Sequence, residues 1–166
     1  VDSNNEIKME HLSFVLKERV LISFQEIRGD VFDPVRKRLH EGRKKLRGGP
    51  SDYLLYALMD AIIDNYYHVI NQIGEKIDLL KKAITYNANK NNLLELDKLY
   101  DEILVMQNSF GPLNTIIPEL QEYETKLFHE ENHIYFRDLQ DHITQTSATI
   151  LTVKDKLSSM KDRKST

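Results

Sequence analysis

Between residues 136 and 160 the positions Phe136, Leu139, Ile143, Thr146, Ile150, Val153, Leu157 and Met160 recur in alternating steps of three and four, with no glycine or proline in the stretch. That heptad spacing selects a long α-helix and requires a partner along its length, from this chain or from an identical neighbour. The seam runs on until the sequence stops, so the chain is expected to be cut within a helix.

A second long helix is expected after Gly48-Gly49-Pro50, capped by Ser51 or Asp52. Its apolar positions are Leu55, Leu58, Ile62, Tyr66, Val69, Ile73, Ile77, Leu80 and Ile84. Their spacing approaches 3.67 residues per turn, which keeps a stripe on one side of a nearly straight helix about 50 Å long. The polar tract Asn87 to Asn92 ends it, and a third helix is expected from near Leu93 to about Glu124. It carries Leu96, Tyr100, Ile103, Met106 or Gln107, Phe110, Leu113, Ile117 and Leu120, with breaks expected at Gly111-Pro112 and Pro118. Helix, short polar turn, helix reads as an antiparallel hairpin.

Near the start, two apolar runs, Leu12 to Leu16 and Val20 to Phe24, flank the charged Lys17-Glu18-Arg19 and predict a β-hairpin. A two-stranded ribbon alone is marginal in water, so it is expected to belong to a larger sheet with strands before Val1. Asp33-Pro34 fits an N-cap and first helical position, opening a short basic helix from Val35 to about Glu41 that stops at Gly42. The fold class expected is mainly α with a small N-terminal β remnant (α+β). Its segments are 1–49, the hairpin and the short basic helix; 50–128, two long antiparallel helices; and 129–166, the polar linker and the last long helix.

Composition narrows the functional classes. A chain of 166 residues can bury a core without staples, and the absence of cysteine excludes disulfides, thiolate zinc sites and thiol nucleophiles. The net charge of -3 gives no general attraction to nucleic acid, and the basic run Arg36 to Arg47 lacks interleaved aromatics, so it reads as a solvated surface. The longest apolar stretch, Leu54 to Ile63, contains Asp60 and falls short of the ~20 residues a spanning helix needs. No signal-peptide pattern opens the chain, and a first residue Val1 suggests an excised piece.

His129-Glu130-Glu131-Asn132-His133 spells the H-E-x-x-H signature of zinc proteases, but no third ligand or glycine-containing turn accompanies it, so it reads as a polar linker into the last helix. No serine nucleophile turn or phosphate-binding loop is present, and no enzyme activity is expected. Asp60, Asp64 and His68 stand at i, i+4, i+8 on the first long helix, roughly opposite Leu58 and Ile62. Asp138 and His142 repeat the i, i+4 spacing on the last helix, with Asp141 and Arg137 beside them. Paired carboxylates on rigid helices suit hard cations such as magnesium, although spacing alone favours a solvated acidic face.

Three blocks, FQEIRGDVFDPVRKRL (Phe24 to Leu39), DYLLYALMDAIIDNYY (Asp52 to Tyr67) and YFRDLQDHI (Tyr135 to Ile143), occur in an order and spacing that resemble the cytosolic domain of CorA magnesium channels. The resemblance covers nearly the whole chain. It implies a sheet domain, two antiparallel "willow" helices and a stalk helix leading to the membrane, in a homopentamer at the cytoplasmic face of the cell membrane. It further implies that divalent ions between neighbouring subunits hold the pore closed. Asp138 matches the stalk aspartate of that site and Asp60 its willow-helix counterpart, with a further acidic partner expected before Val1. Asp64 and His142 join them as secondary candidates by helical geometry. Mg2+ is then both regulatory and transported, with Co2+ or another divalent cation as alternatives. Both transmembrane helices and the Gly-Met-Asn pore signature are missing from the chain, so membrane attachment is expected through absent C-terminal helices. The alternatives are a zinc-transporting relative of the same superfamily or a coiled-coil interaction module without metal sensing.

Overall fold

The computed structural model describes residues 7, 9–86, 89–122 and 126–162. Asn87, Ala88 and Glu124, on which expected helix ends fall, lie outside the described residues, as do residues 1–6. The order is β1 (Leu12–Lys17), β2 (Val20–Gln25), α1 (Asp33–His40), α2 (Lys44–Gly48), α3 (Ser51–Tyr86), α4 (Lys90–Phe110), α5 (Leu113–Glu122), a 3-10 turn (Glu130–Asn132) and α6 (His133–Asp162). The described residues are mainly α-helical with one two-stranded antiparallel sheet, in agreement with the expected class. Two compact units result: Val1–Asn65 with Ile116–His142, and Tyr66–Thr115 with Ile143–Thr166.

In the first unit β1 and β2 form the expected hairpin, pairing Leu12 with Gln25 through Lys17 with Val20. Helix α1 starts differently from expectation. Asp33 is its first residue and not its cap, and Phe32 at the cap position makes no side-chain capping bond. Asp30 takes over: its carboxylate accepts from the Phe32 N–H at 2.9 Å and pairs with Arg36, which also reaches Asp33 at 2.9 Å. Gly42 ends α1 with φ of 70°, the left-handed conformation that glycine adopts without Cβ strain. The short helix α2, not foreseen in the glycine-flanked basic run, buries Leu46. Leu46, Val35 and Ala57 form a core with Leu39, Tyr53, Leu54, Tyr56, Leu58 and Ala61 packed around it. The backbone of Gly49 passes so close to the Lys45 carbonyl that any Cβ there would collide with it.

The caps foreseen at Ser51 and Asp52 do other work. The Ser51 hydroxyl bonds the carbonyls of Lys17 and Glu18 in the hairpin turn, and Asp52 is fully buried against the segment entering α6. Within this unit α3 and α6 run side by side in parallel. The Tyr53 and Tyr135 rings lie 4.9 Å apart, those of Tyr56 and Phe136 6.2 Å apart, so each α3 position meets an α6 residue about eighty places on. Lys45 of α2 caps this aromatic junction, its Nζ 4.1 Å from the Tyr135 ring centre and 4.8 Å from that of Tyr53.

The second unit contains the rest of α3 and α6 with α4. Asn89 caps α4, its side-chain oxygen accepting from the Asn92 N–H at 2.9 Å, so the helix begins three residues before the expected Leu93. Gly111-Pro112 separates α4 from α5 as expected, but α5 runs through Pro118, where proline forfeits only one backbone bond. The Tyr66 ring lies tilted against Phe110, centres 4.9 Å apart, as an antiparallel α3–α4 hairpin requires. Contacts of Asp97 with Lys161, Gln107 with Lys154 and Asn114 with Ser147 set α4 and the start of α5 antiparallel to α6.

The α6 seam is buried as expected at seven of its eight positions, Phe136 to Leu157, with Met160 half-exposed. The α3 stripe needs correction. Ile63 and Ile70 are fully buried, whereas Leu58, Ile62, Tyr66, Val69 and Ile84 are only half-buried. Between Ile63 and Leu80 the buried positions follow heptad steps, because this part of α3 faces neighbouring helices that carry the same period. In α4 and α5 Leu99 is buried in addition to the expected Leu96, Ile103, Met106, Phe110 and Ile117, while Tyr100, Leu113 and Leu120 are half-buried.

Candidate metal centre

Two turns beyond the aromatic junction, the acidic row of α3 faces α6. Asp60 and Asp64 are one helical turn apart and project on one side. The His142 ring stands between them, Nδ1 3.4 Å from an Asp60 oxygen and Nε2 3.7 Å from an Asp64 oxygen. One donor atom from each residue lies within 4.8 Å of the others, and among the described residues this is the group of three that could hold a metal ion. The row therefore lies against α6, and half-buried Leu58 and Ile62 share the helix with half-buried Asp60.

The surroundings place negative charge where water is partly excluded. Burial pushes the Asp64 carboxyl up, Asp60 adds to the rise, and His142 opposes it. The Tyr56 hydroxyl, one turn before Asp60, is pushed up to about 12 by burial and then by Asp60, Tyr53 and Asp138, with Arg38 opposing. Asp138 contributes to this field but is exposed and stands outside the three-donor group, one turn before His142. Its neighbours Arg137 and Asp141 are exposed. His68, the third member of the expected row, bonds Gln72 at 3.0 Å and belongs to the other unit.

The donor set fits a hydrated divalent cation. Octahedral ligands at magnesium distances are about 3 Å apart when adjacent and about 4 Å when opposite. A spread up to 4.8 Å is closed by a small side-chain rotation or by a bridging water. The two carboxylates supply hard oxygen donors, and the imidazole adds a nitrogen that favours cobalt and its first-row neighbours over magnesium or calcium. Among the described residues the H-E-x-x-H stretch makes no comparable site. Its first histidine is extended and its middle residues form a 3-10 turn, so the two imidazoles do not share an α-helical face.

Sequence reasoning missed Tyr56, Asp52, Asn132 and the backbone of His129. Tyr56 lies outside the expected apolar stripe and carried no signal of its own, and Asp52 looked like an ordinary cap.

The family model for CorA-like Mg2+ transporter proteins matches residues 1–165. This chain belongs to the CorA family. It is 32% identical over 158 residues to the cobalt/magnesium transport protein CorA of Thermotoga maritima, covering 95% of this chain and 45% of that protein. The complete structure of the CorA magnesium transporter from Methanocaldococcus jannaschii shares its fold, with a TM-score of 0.71 at 14% identity over 91% of this chain and 54% of that one. The chain thus spans about half the length of the CorA proteins it matches. Among the described residues no helix is long and apolar enough to cross a membrane.

Proposed function

We propose that this chain is the metal-sensing cytosolic part of a CorA-type magnesium/cobalt channel. The observation that carries this reading is the convergence of Asp60, Asp64 and His142 from two parallel helices, in a chain of this family, with one donor atom from each within 4.8 Å of the others. Residues 1–49 form the end of a sheet domain, 50–128 the willow helices and 129–166 the start of the stalk.

Asp138 takes part in a neighbouring contact. Exposed on α6 one turn from His142, it presents a carboxylate to an adjacent copy of the chain in a homopentamer, where an acidic residue of that copy completes a water-rich site. Without metal the facing carboxylates repel, and a divalent cation reverses the sign. Intracellular Mg2+ or Co2+ thereby favours the closed arrangement at the cytoplasmic face of the membrane, and a coupling of about 1–3 kcal/mol per site suffices when several sites act on one assembly.

Sedimentation velocity of the parent and of Asp138→Asn, in chelator and in millimolar Mg2+ or Co2+, tests the reading. Metal-dependent association lost in Asp138→Asn is expected. Identical association with and without metal would instead favour a coiled-coil interaction module.

A further inference from the structure

We propose that Asp52 is a positioning residue that sets the sliding register of α6 against α3 and so holds His142 opposite Asp60 and Asp64. Its role in metal binding rests on the function proposed above.

Parallel neighbours such as α3 and α6 have no short connection to align them. Something other than chain connectivity must choose their register, because sliding one helix by a residue moves it about 1.5 Å and turns its side chains by about 100°. The aromatic junction supplies burial, but its edge-on and tilted ring contacts tolerate small displacements. The hydrogen-bonded carboxylate of Asp52 does not.

Asp52, the second residue of α3, is 0% exposed, as is Asn132. One carboxylate oxygen accepts from the Asn132 side-chain amide at 2.9 Å and from the Tyr53 N–H at 2.9 Å. The other accepts from the His129 N–H at 2.8 Å. The His129 ring Nδ1 lies 3.3 Å from the carboxylate without hydrogen-bond geometry. Two of these three donors belong to the segment that enters α6, so one buried anion ties the N-termini of both helices. Charge-assisted bonds to a buried carboxylate are short and directional, and losing one leaves a buried donor unsatisfied. Residue 52 pairs with residue 132, and residue 60 with residue 142, at nearly the same offset. The metal centre lies eight residues up α3, about 12 Å from the tie. It therefore inherits the register fixed there.

The test uses the 166-residue chain and two readouts. Without metal, the ring 1H–15N signals of His142, assigned with His142→Asn, report its carboxylate neighbours. Asp52→Asn removes the charge and sets an amide donor against donors, and is expected to displace those signals. Asp52→Asn combined with Asn132→Asp rebuilds a carboxylate–amide pair with reversed polarity and is expected to restore them. With Co2+ as probe, Asp52→Asn is expected to weaken binding at least tenfold, the double variant to recover to within about threefold of the parent, and Asp52→Asn to have no added effect in His142→Asn. Unmoved ring signals in folded Asp52→Asn, or displaced signals that the reversed pair does not restore, overturn the positioning role. Displaced and restored signals in a chain whose Co2+ affinity is indifferent to His142→Asn support Asp52 as a register lock and overturn the metal site instead.

Discussion

Replacing Asp60 by asparagine separates what the acidic row costs without metal from what it contributes with it. The donor atoms of Asp60 and Asp64 lie within 4.8 Å. Two unit charges at that distance repel by ~3 kcal/mol at an effective dielectric near 20 and by ~1 kcal/mol in bulk water. The Asp64 side chain is 67% exposed, so screening brings the value to about 1 kcal/mol. Asparagine removes this repulsion and also weakens the 3.4 Å contact with His142, a long hydrogen bond that returns about 0.5 kcal/mol. The net expectation in chelator is a variant ~0.5 kcal/mol more stable than the parent, a rise of about 1–2 °C in thermal midpoint for a chain of this size. In a free-cation concentration ten times Kd the parent gains ~1.4 kcal/mol, about 3–6 °C, while the variant loses most of that gain. Thermal unfolding followed by circular dichroism, in chelator and in Mg2+ or Co2+, reads both. The stability order of the two proteins inverts between the conditions. An Asp60→Asn protein that is less stable in chelator and gains as much from metal as the parent refutes the reasoning.

Asp64 predicts a pH dependence. Because burial and Asp60 raise its folded-state pKa, ionisation costs stability at neutral pH, and that cost vanishes as pH falls through the raised pKa. A cation needs the ionised form, so the metal-induced rise in midpoint shrinks as pH falls from 7 into and below the window just above the ordinary carboxylate range; Asp64→Asn removes the share of this dependence due to Asp64 and leaves that of Asp60 and His142, which also bind only when unprotonated. Tyr56, held protonated up to about 12, contributes stability that is present below pH 10 and lost as pH rises toward 12, so Tyr56→Phe unfolds less steeply in alkaline titration. Leu157→Ala, which empties a fully buried seam position of α6, costs about 2–5 kcal/mol by denaturant titration.

Periodicity made the long helices legible because a buried face repeats a signal many times. The α6 seam needed only spacing, and burial follows it from Phe136 to Leu157. Single residues with several possible partners were less legible. Asp33 had the neighbours of an N-cap, yet Asp30 supplies the carboxylate that bonds the Phe32 N–H, because Asp33 lies inside the first turn. In α3 a helix with neighbours on more than one side has no single apolar stripe, so Ile63 and Ile70 stood outside the expected one. Asp60 and Asp64 could be placed on one side from spacing, and His142 on another helix likewise. Their convergence depends on a parallel register set about eighty residues apart in sequence, which no local pattern encodes. The tie at Asp52 was illegible for the same reason, since its partners His129 and Asn132 sat in a stretch whose most visible feature was a protease-like motif.

The central claim is that Asp60, Asp64 and His142 together bind a divalent cation. Its most direct test is Co2+ binding followed by the visible ligand-field spectrum and by isothermal titration, for the parent, Asp60→Asn and His142→Asn. A Co2+ site with a nitrogen-shifted spectrum, separate from the contact at Asp138, is expected in the parent, weakened at least tenfold by Asp60→Asn, with a preference for Co2+ over Mg2+ that falls in His142→Asn. Co2+ affinity and spectrum unchanged in both variants would contradict it.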